Sequence, residues 1–260
     1  MSDEPGNRSE EEEQLAEGTL LSHLIELRSR LIKISIAVVG MFVVLVPFSQ
    51  KIFVIVSKPL VDVLPGQKMI ATAVASPLLT PFKLTFFVAL FAAMPVVLYQ
   101  VWAFVAPGLY KKEKRFAFPL LGSSIVLFYA GIAFAYFVVF ELVFGFFASV
   151  TPQSVEMMTD IAAYLDFITK IFLAFGLAFE VPIATVLIVW TGLTTPEKLG
   201  KARPYVFLGA FVVGMLLTPP DIISQTMLAV PIYILFEMGI FMSRLFTKKD
   251  AEPAEEPAVK

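Results

Sequence analysis

Residues 174–190 read AFGLAFEVPIATVLIVW, seventeen positions with one ionisable group, Glu180, and one proline, Pro182. The apolar run continues back to residue 161 and on to residue 191. A helix needs about 20 predominantly apolar residues to cross a hydrocarbon core of about 30 Å, so this stretch predicts a membrane span. Comparable runs lie at 31–49, 79–105, 117–149, 204–218 and 222–243, which makes six candidate spans and no internal repeat. Composition agrees: 58% of the 260 residues are hydrophobic, 16% are charged, and the mean hydropathy is +0.81. A soluble domain is about half apolar and about a quarter charged. The expected fold class is therefore an all-α integral membrane protein. Its 26 phenylalanines suit lipid-facing and helix-packing surfaces.

The net charge of −2 hides an uneven distribution. Acids concentrate in the tails SDEPGNRSEEEEQ and DAEPAEEPAVK, whose composition predicts disorder over 1–19 and 247–260, with the membrane domain at 20–246. No basic stripe with interleaved aromatics points to nucleic acid. The absence of cysteine excludes disulfides, thiolate metal sites and thiol nucleophiles. An acidic start is not a cleavable secretory signal, so the first span is expected to stay in the mature protein.

Orientation follows from the basic residues near span ends. One side collects Arg28, Arg30, Lys33, Lys111, Lys112, Lys114, Arg115, Lys198, Lys201, Arg203, Arg244, Lys248 and Lys249. The other has Lys51, Lys58, Lys68 and Lys83, with Lys170 somewhat inside a span. Thirteen against four or five puts the first side, and with six spans both termini, in the cytoplasm. The fifth span, 204–218, makes only about 22 Å of helix, and Thr218-Pro219-Pro220-Asp221 turns tightly into the sixth. These two short helices should thin the bilayer or lean on partners. Pro47, Pro95, Pro182 and Pro231 predict kinks, tolerated where neighbours satisfy the freed carbonyls, and several kinks would make a concave body. The long external segment 50–76, which holds Pro59, is expected as an ordered cap of short helices, with a re-entrant segment as the alternative.

Little in the chain suggests catalysis. The one histidine, His23, precedes the first span, and neither HExxH nor GxxxxGK[ST] occurs. No cofactor is expected, and any work must be driven from elsewhere, such as an ion gradient. Two acids stand among the basic residues of the cytoplasmic surface: Glu26 in HLIELRSR and Glu113 in YKKEKR. Two carboxylates facing one groove could receive adjacent arginines through paired hydrogen bonds. Local charge balance is the other reading, since Glu26 stands four residues before Arg30 and lysines flank Glu113. Glu180 lies at a depth where an ionisable group costs about 2.5 kcal/mol or more. It could contact a partner helix, relay protons as in a proton-coupled carrier, or sit neutral and hydrogen-bonded. Asp166, Thr169 and Lys170 cluster at the external end of the same span, and Glu141 and Glu237 add acids near the membrane. Asp221 is placed to cap the sixth span, and Thr218 and Gln225 make that end polar.

Longer stretches carry a family likeness. HLIELRSRL at 23–31, MIATAVASPLLTPFKL at 69–84, YQVWAFVAPGLYKKEKR at 99–115, VLFYAGIAFAYFVVF at 126–140 and RPYVFLGAFVVGMLLTPPD at 203–221 resemble the TatC family, C subunits of the twin-arginine protein translocase. The likeness runs from about Leu20 to Phe246. It implies a six-helix, glove-shaped receptor in the bacterial cytoplasmic membrane. Such proteins, together with TatB, bind twin-arginine signal peptides of folded precursors and recruit TatA for export driven by the protonmotive force. Residue by residue, Glu26 and Glu113 match the acids associated with the arginine pair, Phe104 an aromatic of that region, and Arg28 and Arg30 the basic N-terminal motif. Pro59 and Pro95 match prolines of the first external loop and second span. Glu180 and Asp221 match the intramembrane acid and the acid of the last external turn. Thr218 and Gln225 lie where the family is thought to contact TatA or TatB helices.

Overall fold

The structure, a computed structural model, describes residues 5–63, 69–105, 114–152, 154–155, 158–218 and 221–249. Among these the chain is almost wholly helical. In order, the helices are α1 (Pro5–Leu45), α2 (Ser49–Val63), α3 (Ser76–Ala92), α4 (Met94–Val105), α5 (Lys114–Phe134), α6 (Phe140–Val150), α7 (Ile161–Ala178), α8 (Val181–Trp190), α9 (Pro196–Lys201), α10 (Arg203–Leu217) and α11 (Ile222–Lys249). A 3₁₀ turn at Val46–Phe48 joins α1 to α2, and a π-helical turn at Ala135–Val139 joins α5 to α6. Helix reaches back to Pro5, into the 1–19 segment whose composition predicts a disordered tail. Glu, Gln, Leu and Ala, which recur there, are good helix formers.

Among the described residues four helical stretches are long and apolar enough to cross a membrane: His23–Val63, Phe118–Val150, Ile161–Trp190 and Ile222–Leu245. The last, with 24 residues, corrects the expectation of a short sixth helix, since the apolar run continues past Pro231 without a break. The pair Ser76–Ala92 and Met94–Phe104 passes together, bent by 48°, and Arg203–Leu217 is a shorter apolar helix. The first stretch has 41 residues, about twice what one crossing needs. Pro47 and the 3₁₀ turn divide it, and α2 supplies helix in the segment read as a cap.

The 79–105 run, read as one span, is therefore two helices. The cause is Pro95, which has no N–H to give Phe91 O, and the carbonyl it frees is not left bare. The Tyr129 hydroxyl of α5 donates to Phe91 O at 3.1 Å. The same device recurs at Pro59 inside α2, where the Tyr136 hydroxyl of the π turn donates to Ile55 O at 2.9 Å. In the water-free bilayer core such a side-chain donor is what allows Pro95 its place.

Phenylalanine fills the centre. Phe128, Phe140 and Phe175 are fully buried, and Phe91 and Phe140 both meet the ring of Phe172, at 6.0 and 5.0 Å. Lipid tails are as apolar as these rings, so association rests on close packing more than on expelling water. Two glycines set the closest approach. A Cβ on Gly131 of α5 would lie 2.5 Å from Phe175 O, and one on Gly176 of α7 would lie 2.6 Å from Cε2 of Phe128. The outer faces are apolar and exposed, as at Val39, Val43, Phe137 and Phe241.

A small knot of backbone ties α3's approach to the start of α7. Ile70 N–H donates to Thr159 O and Ile161 N–H to Ile70 O. Asp160 completes it: Oδ2 accepts from the N–H and hydroxyl of Thr72, and Oδ1 from the N–H groups of Ala162 and Ala163. These four donors favour the ionised carboxylate and hold its pKa down at about 2. A depressed pKa stabilises the fold above the group's ordinary value of 3.8 and loses that contribution as pH falls through about 2. Hydrogen exchange at Thr72, Ala162 and Ala163, normalised to intrinsic rates, should stay slow at neutral pH and accelerate together in that acid window. In Asp160→Asn one oxygen becomes an amide donor, so protection should be lost either at Thr72 or at Ala162 and Ala163 even at neutral pH. Unchanged protection in that variant would show that Asp160 does not hold the knot.

Candidate functional site

The acid singled out near the first span sits where α1 meets the last turn of α4. Glu26 and Arg30 are one helical turn apart, so their side chains share a face. Arg30 donates through Nε and Nη2 to the same oxygen, Oε1, of Glu26. Its remaining donors cross to α4: Nη1 to Gln100 Oε1 at 3.2 Å and Nη2 to Ala103 O at 2.9 Å. Pro107, four residues on, has no N–H to offer Ala103 O, so the guanidinium serves a carbonyl that the helix ladder cannot. The Arg30 side chain is 18% exposed and that of Glu26 37%. Phe104 follows Ala103, and its ring meets His23 edge-on at 6.0 Å. Glu26, Arg30 and Phe104 thus come together, with Gln100 and His23 as neighbours that sequence reasoning did not single out. Arg28 is exposed and makes no ion pair among the described residues. Glu113 lies outside the described residues.

Glu180 occupies a break between α7 and α8. Phe179 N–H still reaches Phe175 O, but Pro182, in the first turn of α8, has no N–H to continue the ladder. On α5, Ser124 accepts the indole N–H of Trp102, on α4, at 3.2 Å. Ser124 is fully buried and Trp102 nearly so. Oε1 of Glu180 has no hydrogen-bond partner among the described residues. Beside the break lies an apolar groove of about 490 Å³ between α5, α8 and α11, lined by Phe179, Pro182 and Met238.

At the other junction, Asp221 caps α11, its Oδ1 accepting the N–H of Ser224 at 2.7 Å. Thr218 is buried and turns its hydroxyl back to Gly214 O. Gln225 packs its backbone against Gly214, which brings α10 and α11 close. Pro59 lines a groove of about 750 Å³ with Lys58, Asp62, Tyr136 and Glu141. Two ion pairs escaped sequence reasoning because their partners are distant in the chain. Arg203 of α10 takes both oxygens of Glu237 on α11 at 2.7 Å, and Tyr233 adds a bond at 2.8 Å. Lys83 of α3 pairs with Asp166 of α7. Among the described residues no cluster of acids and histidine is placed to hold a metal.

The long apolar helices define an all-helical, multi-pass membrane protein, and comparison with known proteins makes the class specific. Residues 22–231 match the family model described as Sec-independent protein translocase protein (TatC). The chain is 59% identical over 236 residues to the Sec-independent protein translocase protein TatC of Azotobacter chroococcum, spanning 90% of this chain and 92% of that one. To its counterpart in Escherichia coli K12 it is 59% identical over 231 residues, 88% and 90% of the two chains. A crystal structure described as the twin arginine translocase receptor TatC superposes with a TM-score of 0.79 at 36% identity, covering 86% of this chain and 99% of that one. The chain belongs to the TatC family, subunits of the Sec-independent protein translocase.

Proposed function

We propose that this chain is the receptor subunit of a twin-arginine translocase. Together with TatB it binds the twin-arginine signal peptides of folded precursors, and it recruits TatA for export driven by the protonmotive force. It does so without catalytic chemistry or a cofactor. The reading places it in the bacterial cytoplasmic membrane as a glove-shaped bundle of six spans, residues 20–246, with both termini and tails in the cytoplasm. Four long apolar stretches, one bent pair and the short α10 support that count, and the thirteen basic residues on one side support that orientation. Glu26, Glu113, Phe104, Arg28 and Arg30 form the signal-peptide face. Pro59 and Pro95 shape the bundle, and Glu180, Thr218, Asp221 and Gln225 lie where partner helices dock. Its partners beyond these are further copies of the same complex and membrane lipid, with no nucleic acid.

One observation carries the reading: a chain described as the twin arginine translocase receptor TatC superposes over 86% of this one with a TM-score of 0.79, while the Glu26–Arg30 pair by itself is the local charge balance that the spacing also allowed. The test is removal of the protein from its host. Twin-arginine precursors should then accumulate folded in the cytoplasm while Sec-type export continues. Normal periplasmic delivery of those precursors would overturn the proposal.

A further inference from the structure

Arg30 could act on the peptide face in two opposite ways. As a fixed positive charge beside Glu26 it would repel an incoming guanidinium and compete for its carboxylate. As a brace it would hold that carboxylate in place for the guest. We infer that Arg30 is a positioning residue, which presents Oε2 of Glu26 to the guest while it takes Oε1 itself; this rests on the receptor reading above.

The distribution of donors is the reason. Nε and Nη2 both go to Oε1 of Glu26, and no hydrogen bond reaches Oε2 among the described residues. A competitor would take both oxygens in the side-by-side, fork-to-fork manner that arginine and carboxylate prefer. That arrangement does occur in this molecule, where Arg203 spends one nitrogen on each oxygen of Glu237. At Glu26 the guanidinium is turned so that its other contacts, Gln100 Oε1 and Ala103 O, fall on α4. Four hydrogen bonds to three acceptors on two helices fix the plane of the group. A glutamate on an exposed helix face otherwise loses rotamer entropy when it binds, and here Arg30 has already restricted it. Lysine cannot replace this: its ammonium is a point charge without a planar fork.

The sign of the effect separates the two roles. Charge alone predicts that Arg30→Gln tightens binding of a dicationic peptide and that Arg30→Lys leaves it unchanged. Positioning predicts that both variants weaken binding of a peptide with two adjacent arginines, by about tenfold, the worth of one charge-assisted hydrogen bond. It also predicts that the preference for that peptide over its twin-lysine counterpart narrows. The probe is the labelled twin-arginine peptide, titrated onto the full chain in lipid nanodiscs with its partner subunit present. Thermal unfolding is recorded alongside, and affinities are compared only for variants that unfold as the parent does.

A double-mutant cycle isolates the route. If Arg30 works through Glu26, the two losses overlap, and Arg30→Gln costs little once Glu26→Gln is in place. Additive losses, tighter binding by Arg30→Gln, or an unaltered Arg30→Lys would each overturn the inference. If Glu26→Gln alone leaves affinity intact, the receptor reading of this carboxylate fails instead, and the two failures are told apart.

Discussion

Glu26→Ala is expected to lose at least about thirtyfold in affinity for a twin-arginine peptide, while the protein inserts and unfolds as the parent does. The size follows from removing one member of a hydrogen-bonded charge pair at an interface, worth about 2 kcal/mol or more. The selectivity follows from the local geometry. Arg30 keeps its bonds to Gln100 and Ala103 when Glu26 is truncated, so the α1–α4 junction keeps its cross-helix contacts. Equilibrium titration of the labelled peptide, with a thermal melt as control, reads both halves of the result. Full affinity with Glu26 truncated would remove this carboxylate from the peptide face. Glu113→Ala is expected to behave alike, on the strength of the family likeness.

Gly131→Ala is expected to destabilise the bundle by about 3 kcal/mol, the upper end for overfilling a packed interior. The added Cβ would sit 2.5 Å from Phe175 O, a backbone atom that cannot rotate away. α5 and α7 must then separate, and the Phe91–Phe128 and Phe134–Phe175 ring contacts beside them loosen. Gly122→Ala on the same helix is the control, since nothing lies within 4 Å of its added carbon. That change should be neutral or mildly stabilising, because alanine is the better helix former. Thermal unfolding of both variants in one detergent decides it. Equal stability would mean that the close approach at Gly131 does not set the helix spacing.

Most helices were legible because each apolar run is bounded by charge. The run 161–191 became Ile161–Trp190, 117–149 became Phe118–Val150, and 204–218 became Arg203–Leu217. What stayed hidden depends on contacts between distant segments. Pro95 announced a kink, but nothing in its neighbourhood named Tyr129 as the donor that makes the kink stable. The same holds for Pro59 and Tyr136, which are brought together only by packing α2 against the π turn. Within the candidate site, the Glu26–Arg30 spacing is local and could be read directly. Gln100 and Ala103 lie some seventy residues on, in a run whose apolar character conceals a polar junction. The Arg203–Glu237 pair was hidden for the same reason: each charge looked like an ordinary span-end residue until α10 folded back on α11.

The hydrogen bond from Trp102 to Ser124 has a practical side. Indole emission depends on burial and on the partner of its N–H, and Trp102 is buried, hydrogen-bonded, and next in sequence to the carbonyl that receives Arg30. The chain has one other tryptophan, Trp190, at the end of α8. With Trp190 replaced, the protein therefore carries its own optical gauge on α4, and the helix that meets α1 at Arg30 can be followed by its native fluorescence without attaching a dye.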